Sequence, residues 1–398
     1  MFHYELGFYL ENRLFPLAEN LPKGTKLLEI FLFNNKQVIQ YVSPNLNELD
    51  DSSIITHTPQ ITKDEYLNKI NAAKQYLTDG ESYELNYTFP TKLVAKGDPF
   101  LLYQKLKRRQ FTRYSAYFEN TGNFVLSFSP ELFWDWKGKS IQVKPMKGTA
   151  RRKENYLEDL DVAHNLENSV KERAENVMIT DLFRNDLAKI SEMGTVEVNE
   201  LFSAEALDSV WQMTSKVSAT LLPDIQFGDM VTQLFPSGSV TGAPKIRSIE
   251  LISELEKRIR GIYTGSIFTF EYSDTEIRSV GNVAIRTMTL TNQNGQLKGD
   301  YAVGSGITVL SDPSAEYEEC LSKFSFLTGK DVPDFEILET IRFDSGRYRF
   351  LSLHLERMEW SSKRFQYPFD KNQDNETLES ISQVASGLLS VRFLLNRK

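Results

Sequence analysis

Between residues 61 and 79 the apolar side chains recur at helical spacing, which predicts a helix capped by Thr62 or Asp64 and ended by Gly80. Alternation with a period of two then takes over. It predicts strands over 83–95, 115–119, 123–128 and 140–145, separated by turns that contain Gly or Asn. From about 153 to 189 the pattern becomes charged and long-period, as in a pair of helices, and 243–257 reads as an amphipathic helix. Strands are expected again at 262–272, 278–291 and 298–303, followed by a helix over 312–327. This order of elements belongs to an α+β or mixed α/β fold. The polar stretch 329–334, with its Gly and Pro, reads as a linker and divides the chain into 1–328 and 335–398. The second piece is too short to bury a good core alone, and it closes on a hydrophobic run with no stop signal, as a domain cut off early would.

Composition narrows the function classes. The chain has 398 residues, 40% of them hydrophobic and 25% charged, which is enough for a sizeable core. A net charge of −8, with the basic residues dispersed, argues against a surface for nucleic acid. A small anionic substrate stays compatible, because a cleft can oppose the global sign. The single cysteine, Cys320, rules out intramolecular disulfides and thiolate metal cages and suits a reducing compartment. In Glu-Tyr-Glu-Glu-Cys it is expected to be a small packing residue. With neither a leader pattern nor an apolar run of about 18 residues, a cytoplasmic location and no membrane partner are expected.

Three constellations carry candidate chemistry. Glu172 and Glu175 lie three apart, as do Glu316 and Glu319, with Lys323 four further on. Each pair shares a helical face, which suits either solvated ion pairs or a hard cation such as Mg²⁺. The small residues of 235–245, Phe-Pro-Ser-Gly-Ser-Val-Thr-Gly-Ala-Pro-Lys, precede a helix and could hold an anion on backbone N–H groups, and Gly304-Ser305-Gly306 is a weaker version. Neither matches a nucleotide-binding loop. Lys147 sits in Lys-Pro-Met-Lys-Gly-Thr, a basic turn of a kind usually exposed to solvent. It can act as a nucleophile only where burial lowers its pKa. Asp181, Arg184, Asn185 and Asp186 fall in a helix and are expected to be structural clamps.

Taken in order, the segments resemble the chorismate-utilising enzymes, the family of anthranilate synthase component I, aminodeoxychorismate synthase component I and the isochorismate and salicylate synthases. The resemblance runs through Ser129-Pro130-Glu131, Pro-Met-Lys-Gly-Thr around Lys147, Lys-Glu-Arg-Ala-Glu-Asn-Val-Met-Ile-Thr-Asp, Gly-Ser-Val-Thr-Gly-Ala-Pro-Lys, Arg260-Gly-Ile-Tyr-Thr-Gly265, Ala284-Ile-Arg-Thr287, Gly304-Ser-Gly306 and Glu316-Tyr-Glu-Glu319, and covers about 1–328. It implies an anthranilate synthase component I-like fold of large antiparallel sheets flanked by helices, N-terminally shortened by roughly a hundred residues.

The resemblance also implies chemistry. Glu175 and Glu319 would hold Mg²⁺ on the ring carboxylate of chorismate, with Glu316 in or just outside that shell. Tyr263, Arg286, Gly304 and Gly306 would bind the substrate, with Ser239 and Lys323 nearby. Glu131 would protonate the departing C4 hydroxyl, and Lys147 would add at ring carbon 2 before ammonia adds at carbon 4. Relatives that make anthranilate carry a small residue at position 147, so the lysine points to 4-amino-4-deoxychorismate, with ammonia delivered by a glutamine amidotransferase subunit. Water-using relatives place a lysine where this chain has Glu84, and many relatives have a histidine in place of Gln212. Residues 335–365 resemble the start of a class IV pyridoxal-phosphate enzyme such as aminodeoxychorismate lyase, with Arg357 at a cofactor-phosphate position. The chain stops before that family's Schiff-base lysine, and no lyase activity is expected.

Overall fold

Two short helices, α1 (Gly7–Leu10) and α2 (Phe15–Glu19), open the chain and pack Phe8, Leu14 and Ala18 against Ile249. After strand β1 (Ser53–Pro59), Thr62 starts helix α3 (Lys63–Thr78) with a capping box, in which its side chain accepts the Glu65 N–H while Glu65 accepts the Thr62 N–H. The computed structural model describes residues 1–39, 52–110, 112–207, 210–272, 276–329, 335–365, 367–384 and 386–396.

The order then runs β2 (Glu84–Lys96), α4 (Pro99–Arg109), β3 (Tyr114–Asn120), β4 (Asn123–Ser129), β5 (Leu132–Lys137), β6 (Ser140–Val143), β7 (Met146–Arg151), α5 (Tyr156–Asn168) and α6 (Val170–Ala188). It continues with β8 (Glu197–Ala206), β9 (Val210–Thr220), α7 (Phe227–Leu234), β10 (Gly242–Ala243), α8 (Lys245–Glu256), β11 (Phe268–Tyr272), β12 (Ile277–Asn282), β13 (Thr287–Gln293), β14 (Gln296–Ile307), α9 (Pro313–Ser322) and α10 (Ser325–Thr328). The C-terminal part holds β15 (Ile337–Asp344), β16 (Arg347–Tyr348), α11 (Leu351–Phe365), α12 (Lys371–Val384) and β17 (Leu388–Leu395).

Among the described residues the strands form two seven-stranded antiparallel sheets and, in the C-terminal part, a three-stranded one of order β16-β15-β17. The first has the order β1-β2-β14-β13-β4-β3, with β10 beside β2; the second has β11-β12-β5-β6-β9-β7, with β8 beside β9. Helices α3, α4, α8, α9 and α10 cover the first, burying Tyr66, Ile70, Leu102, Leu106, Leu251 and Leu327 against Tyr87, Phe89 and Tyr301. Helices α6 and α7 cover the second, where Ile179, Phe183 and Met230 meet Phe133, Trp134 and Val217. Each such side chain, fully buried, contributes roughly 1.5–3 kcal/mol. No helix among the described residues is long and apolar enough to cross a membrane.

The α+β reading and the helices over 63–78, 156–188 and 245–256 agree with the pattern. Three expectations change. The run 278–291 is two strands in different sheets, β12 and β13, because the chain crosses from one sheet to the other at 283–286. The segment 262–267 is a turn, with Gly261 and Thr264 at φ +67° and +63°, so β11 begins only at Phe268. Strands β5, β8 and β9 were not expected; β9 has partners on both sides and is buried on both faces over 211–215, which hides the alternation there. Of the expected linker, 330–334 lie outside the described residues. Beyond it, Ile337, Ile341 and Phe343 of β15 bury one face against Leu355, Met358 and Leu378, so this segment does build a small core. Arg357 is held there by Glu339 at 2.5 Å, which also binds His354 at 2.8 Å.

Of the four clamp candidates only Asp186 is buried; Asp181, Arg184 and Asn185 face solvent. Asp186 accepts from Lys245 Nζ at 2.5 Å, and the same ammonium donates to the Leu234 carbonyl at 2.8 Å, pinning α8 to α6 and α7. Lys245→Ala leaves the buried Asp186 carboxylate with Lys189 alone, at 3.1 Å, and the expected loss is about 2 kcal/mol in urea unfolding. A loss below about 1 kcal/mol, the range of an exposed pair, would mean that the contact is solvent-screened.

Candidate active site

The two sheets are joined by two crossings of the chain that run side by side. One is Ser129–Glu131, from β4 to β5, and the other is the 283–286 segment, from β12 to β13. They bond to each other: Ser129 Oγ donates to the Val283 carbonyl (2.6 Å), and the Val283 N–H donates to the Glu131 carbonyl (3.2 Å). Glu131 and Arg286 are thereby placed at the seam, with Arg286 itself at φ +50°. A cavity of about 550 Å³ opens there, lined by Glu131, Lys147, Glu175, Ser239, Tyr263, Arg286, Gly304, Gly306, Glu316, Glu319 and Lys323. All eleven candidate residues thus face one space. A second cavity, about 540 Å³, lies against β13 and β14 and contains neither Lys147 nor Glu131.

Lys147 lies on strand β7 rather than in a turn, and a bulge aims it. Met146 pairs with Thr214 and Thr149 with Gln212, so one extra residue is accommodated on β7, where Gly148 takes φ +92°. A Cβ on Gly148 would come within 2.7 Å of Glu172 Oε2. Asn176 donates to the Lys147 carbonyl (3.4 Å) and Gln212 to the Gly148 carbonyl (2.8 Å), fixing the bulge from α6 and β9. The Lys147 ammonium then reaches Glu84 Oε1, at the start of β2, at 2.5 Å. Burial lowers the lysine pKa, but the Glu84 charge and hydrogen bond, with Glu175 and Glu319 behind them, outweigh it and push the pKa up. The side chain is 15% exposed, partly withdrawn from water as a nucleophile would require, yet it rests as an ammonium.

Glu131 has the opposite character. It is 4% exposed, and its Oε1 has no hydrogen-bond partner among the described residues. Burial raises the pKa to about 7, against smaller opposing effects of the Ser239 hydroxyl and the Lys147 charge. Near neutral pH it is therefore half protonated, as a general acid should be. Ser239, on the short 3₁₀ turn Gly238–Val240, is held by Ser237 at 2.8 Å.

Opposite Lys147, α6 presents Glu172 and Glu175 while α9 presents Glu316 and Glu319. No ready-made cluster of three or more His, Cys, Asp or Glu ligands exists among the described residues. Mg²⁺ does not need one, since it takes one or two carboxylates and keeps its waters. Glu175 has no hydrogen bond or ion pair among the described residues; burial pushes its pKa up, and Glu84 and Glu172 add to the rise against Lys147. That local excess of negative charge is what a divalent cation relieves, so the donor set fits. Burial would raise the Glu319 pKa as well, but Lys323, at 2.9 Å, outweighs it and holds the pKa down.

Lys323 also donates to the Gly304 carbonyl (2.6 Å). The loop bearing Tyr263 is fixed by buried Arg260, which pairs with Glu256 (2.7 Å) and donates to the Val240 and Asn86 carbonyls (2.8 and 2.7 Å). The glycines have a packing reason besides backbone exposure: a Cβ on Gly304 would strike Thr88, and one on Gly306 would overlap both Glu84 Oε1 and Lys147 Nζ. Sequence reasoning noticed Glu84 only as a missing lysine and overlooked Asn176.

Comparison with known proteins gives the same grouping. Residues 22–329 match the family of chorismate binding enzymes. Aminodeoxychorismate synthase component 1 of Bacillus subtilis is 35% identical over 263 residues, 66% of this chain and 54% of that protein. The chloroplastic aminodeoxychorismate synthase of Arabidopsis thaliana is 33% identical over 302 residues, 75% of this chain and 32% of that protein. The chain therefore spans about half the length, or less, of these relatives. The crystal structure of anthranilate synthase component I from Streptococcus pneumoniae superposes with a TM-score of 0.62 at 25% identity, covering 81% of this chain and 66% of that one.

The raised Glu131 pKa has a measurable consequence. The folded state binds this proton more tightly than the unfolded chain, whose carboxyl titrates near 4.5. Stability is therefore unpenalised below about pH 4.5 and declines as pH rises through about 7, by about 3 kcal/mol in all. Glu131→Gln removes the penalty. Thermal melts should show the variant gaining on the wild type between about pH 5 and 8, and a difference that does not vary with pH would contradict a buried, half-protonated Glu131.

Proposed function

The chain belongs to the chorismate-binding enzymes, and from that premise we propose that it aminates chorismate to 4-amino-4-deoxychorismate, with Lys147 as nucleophile and ammonia supplied by a glutamine amidotransferase subunit in the cytoplasm. The observation that carries this reading is the partly buried Lys147 ammonium sharing one cavity with a carboxyl group poised near neutrality, Glu131.

In this reading Arg286 takes a substrate carboxylate through its paired N–H groups, with Tyr263, Ser239, Lys323 and the Gly304 and Gly306 backbone completing the cradle. Glu175 and Glu319, with Glu316 alongside, would hold Mg²⁺, which supplies Lewis-acid charge to the ring carboxylate. Glu131 gives its proton to the C4 hydroxyl so that it leaves as water. Lys147 bonds to carbon 2 as that hydroxyl departs, and ammonia then adds at carbon 4 and displaces the lysine. The turn that brings Tyr263 and the crossing that brings Arg286 close one side of the cavity. Its acidic helices close the other.

Anthranilate formation is the competing outcome, since a solved anthranilate synthase component I shares the fold. Incubation with chorismate, Mg²⁺ and ammonium is expected to give p-aminobenzoate only when aminodeoxychorismate lyase is added; anthranilate fluorescence without lyase would overturn the reading. Lys147→Ala is expected to lower product formation by roughly a hundred-fold or more with an unchanged circular dichroism spectrum. Full activity in that variant would remove the covalent role.

A further inference from the structure

A lysine that attacks carbon must first part with a proton, and among the described residues the one side chain hydrogen-bonded to Lys147 Nζ is Glu84, at 2.5 Å. Glu84 is 1% exposed, and its second oxygen, Oε2, is buried without a hydrogen-bond partner among the described residues. Its backbone is pinned, because Ser82 Oγ donates to the Glu84 carbonyl at 2.8 Å. The absence of a side chain at Gly306 leaves the space in which carboxylate and ammonium meet. Other charged groups face the pair from neighbouring elements: Glu175 from α6, Glu319 from α9 and Glu131 at the crossing. They act on it through space.

We propose that Glu84 is the proton store of the reaction, taking a proton from Lys147 as the lysine adds to substrate and returning it when the lysine leaves. This rests on the reading of Lys147 as the nucleophile. At rest the pair is an ammonium and a carboxylate; moving one proton along their hydrogen bond leaves an amine and a neutral carboxyl, and two buried charges vanish together. The amine electron pair forms the bond to ring carbon 2. The C1–C2 double bond moves to C1–C6, the C5–C6 double bond moves to C4–C5, and the C4–O bond breaks, its oxygen leaving as water with the proton of Glu131. Ammonia then bonds to carbon 4, the double bonds return, and the C2–N bond breaks to restore the amine of Lys147. Glu84 gives its proton back to that amine, and Glu131 takes one from the new C4 ammonium. Chorismate and ammonia have become product and water, and both carboxyl groups end as they began.

The test follows covalent adduct formation by intact-protein mass after rapid quenching, using chorismate and Mg²⁺ without ammonia. In the wild type, adduct formation is expected to follow the Glu131 carboxyl alone, falling as pH rises through about 7, since the Lys147 proton never leaves its pair. In Glu84→Gln the lysine proton must go to solvent, so the rate should fall roughly a hundred-fold at neutral pH and its ratio to the wild-type rate should climb with rising pH, while Glu84→Asp recovers part of it. A thermal shift with chorismate and Mg²⁺ checks that the Gln variant still folds and binds. A Gln variant with the wild-type rate and profile overturns the proposal. So does a faster one, the result expected if Glu84 merely raised the proton affinity of Lys147. So does a slower one with an unchanged pH profile, the mark of a positioning role. If the wild type gives neither adduct nor product, the reading of Lys147 as nucleophile fails first and takes the proposal with it.

Discussion

The site depends on two strand-to-strand crossings that lie against each other at the seam of the sheets. An antiparallel sheet satisfies its backbone within itself, so a chain that leaves one sheet for another must find new partners for the groups it exposes. Here the two crossings supply them mutually, through Ser129, Val283 and the Glu131 carbonyl. The pairing fixes where β5 and β13 begin, and it puts a carboxyl group and a guanidinium on the same seam. The bulged strand β7 and the start of β2 approach that seam from different sheets, and the Glu84–Lys147 contact spans them.

Around the cavity the buried charges are handled in three ways. Lys147 is paired, and its pKa rises despite burial. Glu131 has no partner strong enough to hold its charge and sits near neutrality instead. Glu175 has its pKa pushed up by burial, with Glu84 and Glu172 adding to the rise against Lys147 and Lys171, and it has no hydrogen-bonded or ion-paired partner among the described residues. These are the three states that burial permits a carboxylate or ammonium: matched, neutralised or awaiting a counter-ion. All three states occur within one cavity.

Much of this was legible in the chain. Helix α3 declared itself through Thr62, Glu65 and the apolar spacing behind them, because a capping box is a local contract between near neighbours. The family resemblance brought all eleven candidate residues to one cavity, since it rests on the order of many segments. What stayed hidden is non-local. Residues 278–291 alternate through both strands, and nothing in alternation says which sheet each joins. Pro-Met-Lys-Gly-Thr looked like a turn because a bulge glycine at positive φ has the same composition as a turn glycine. The raised pKa of Lys147 was hidden because its cause, Glu84, lies 63 positions away.

The strand that carries Lys147 is held further along by the C-terminal part of the chain. Arg152, just past β7, is clamped by Asp159 and covered by the rings of Trp211 and Trp360, and Trp360 lies on α11, where it also donates to Asp159 at 3.3 Å. Four residues, Gly148 to Arg151, separate that clamp from Lys147. In mechanical terms β7 is a short beam with one support at the bulge and the other on the tail's helix. If the far support slackened, the reach of Lys147 toward Glu84 would loosen with no residue that touches it changed.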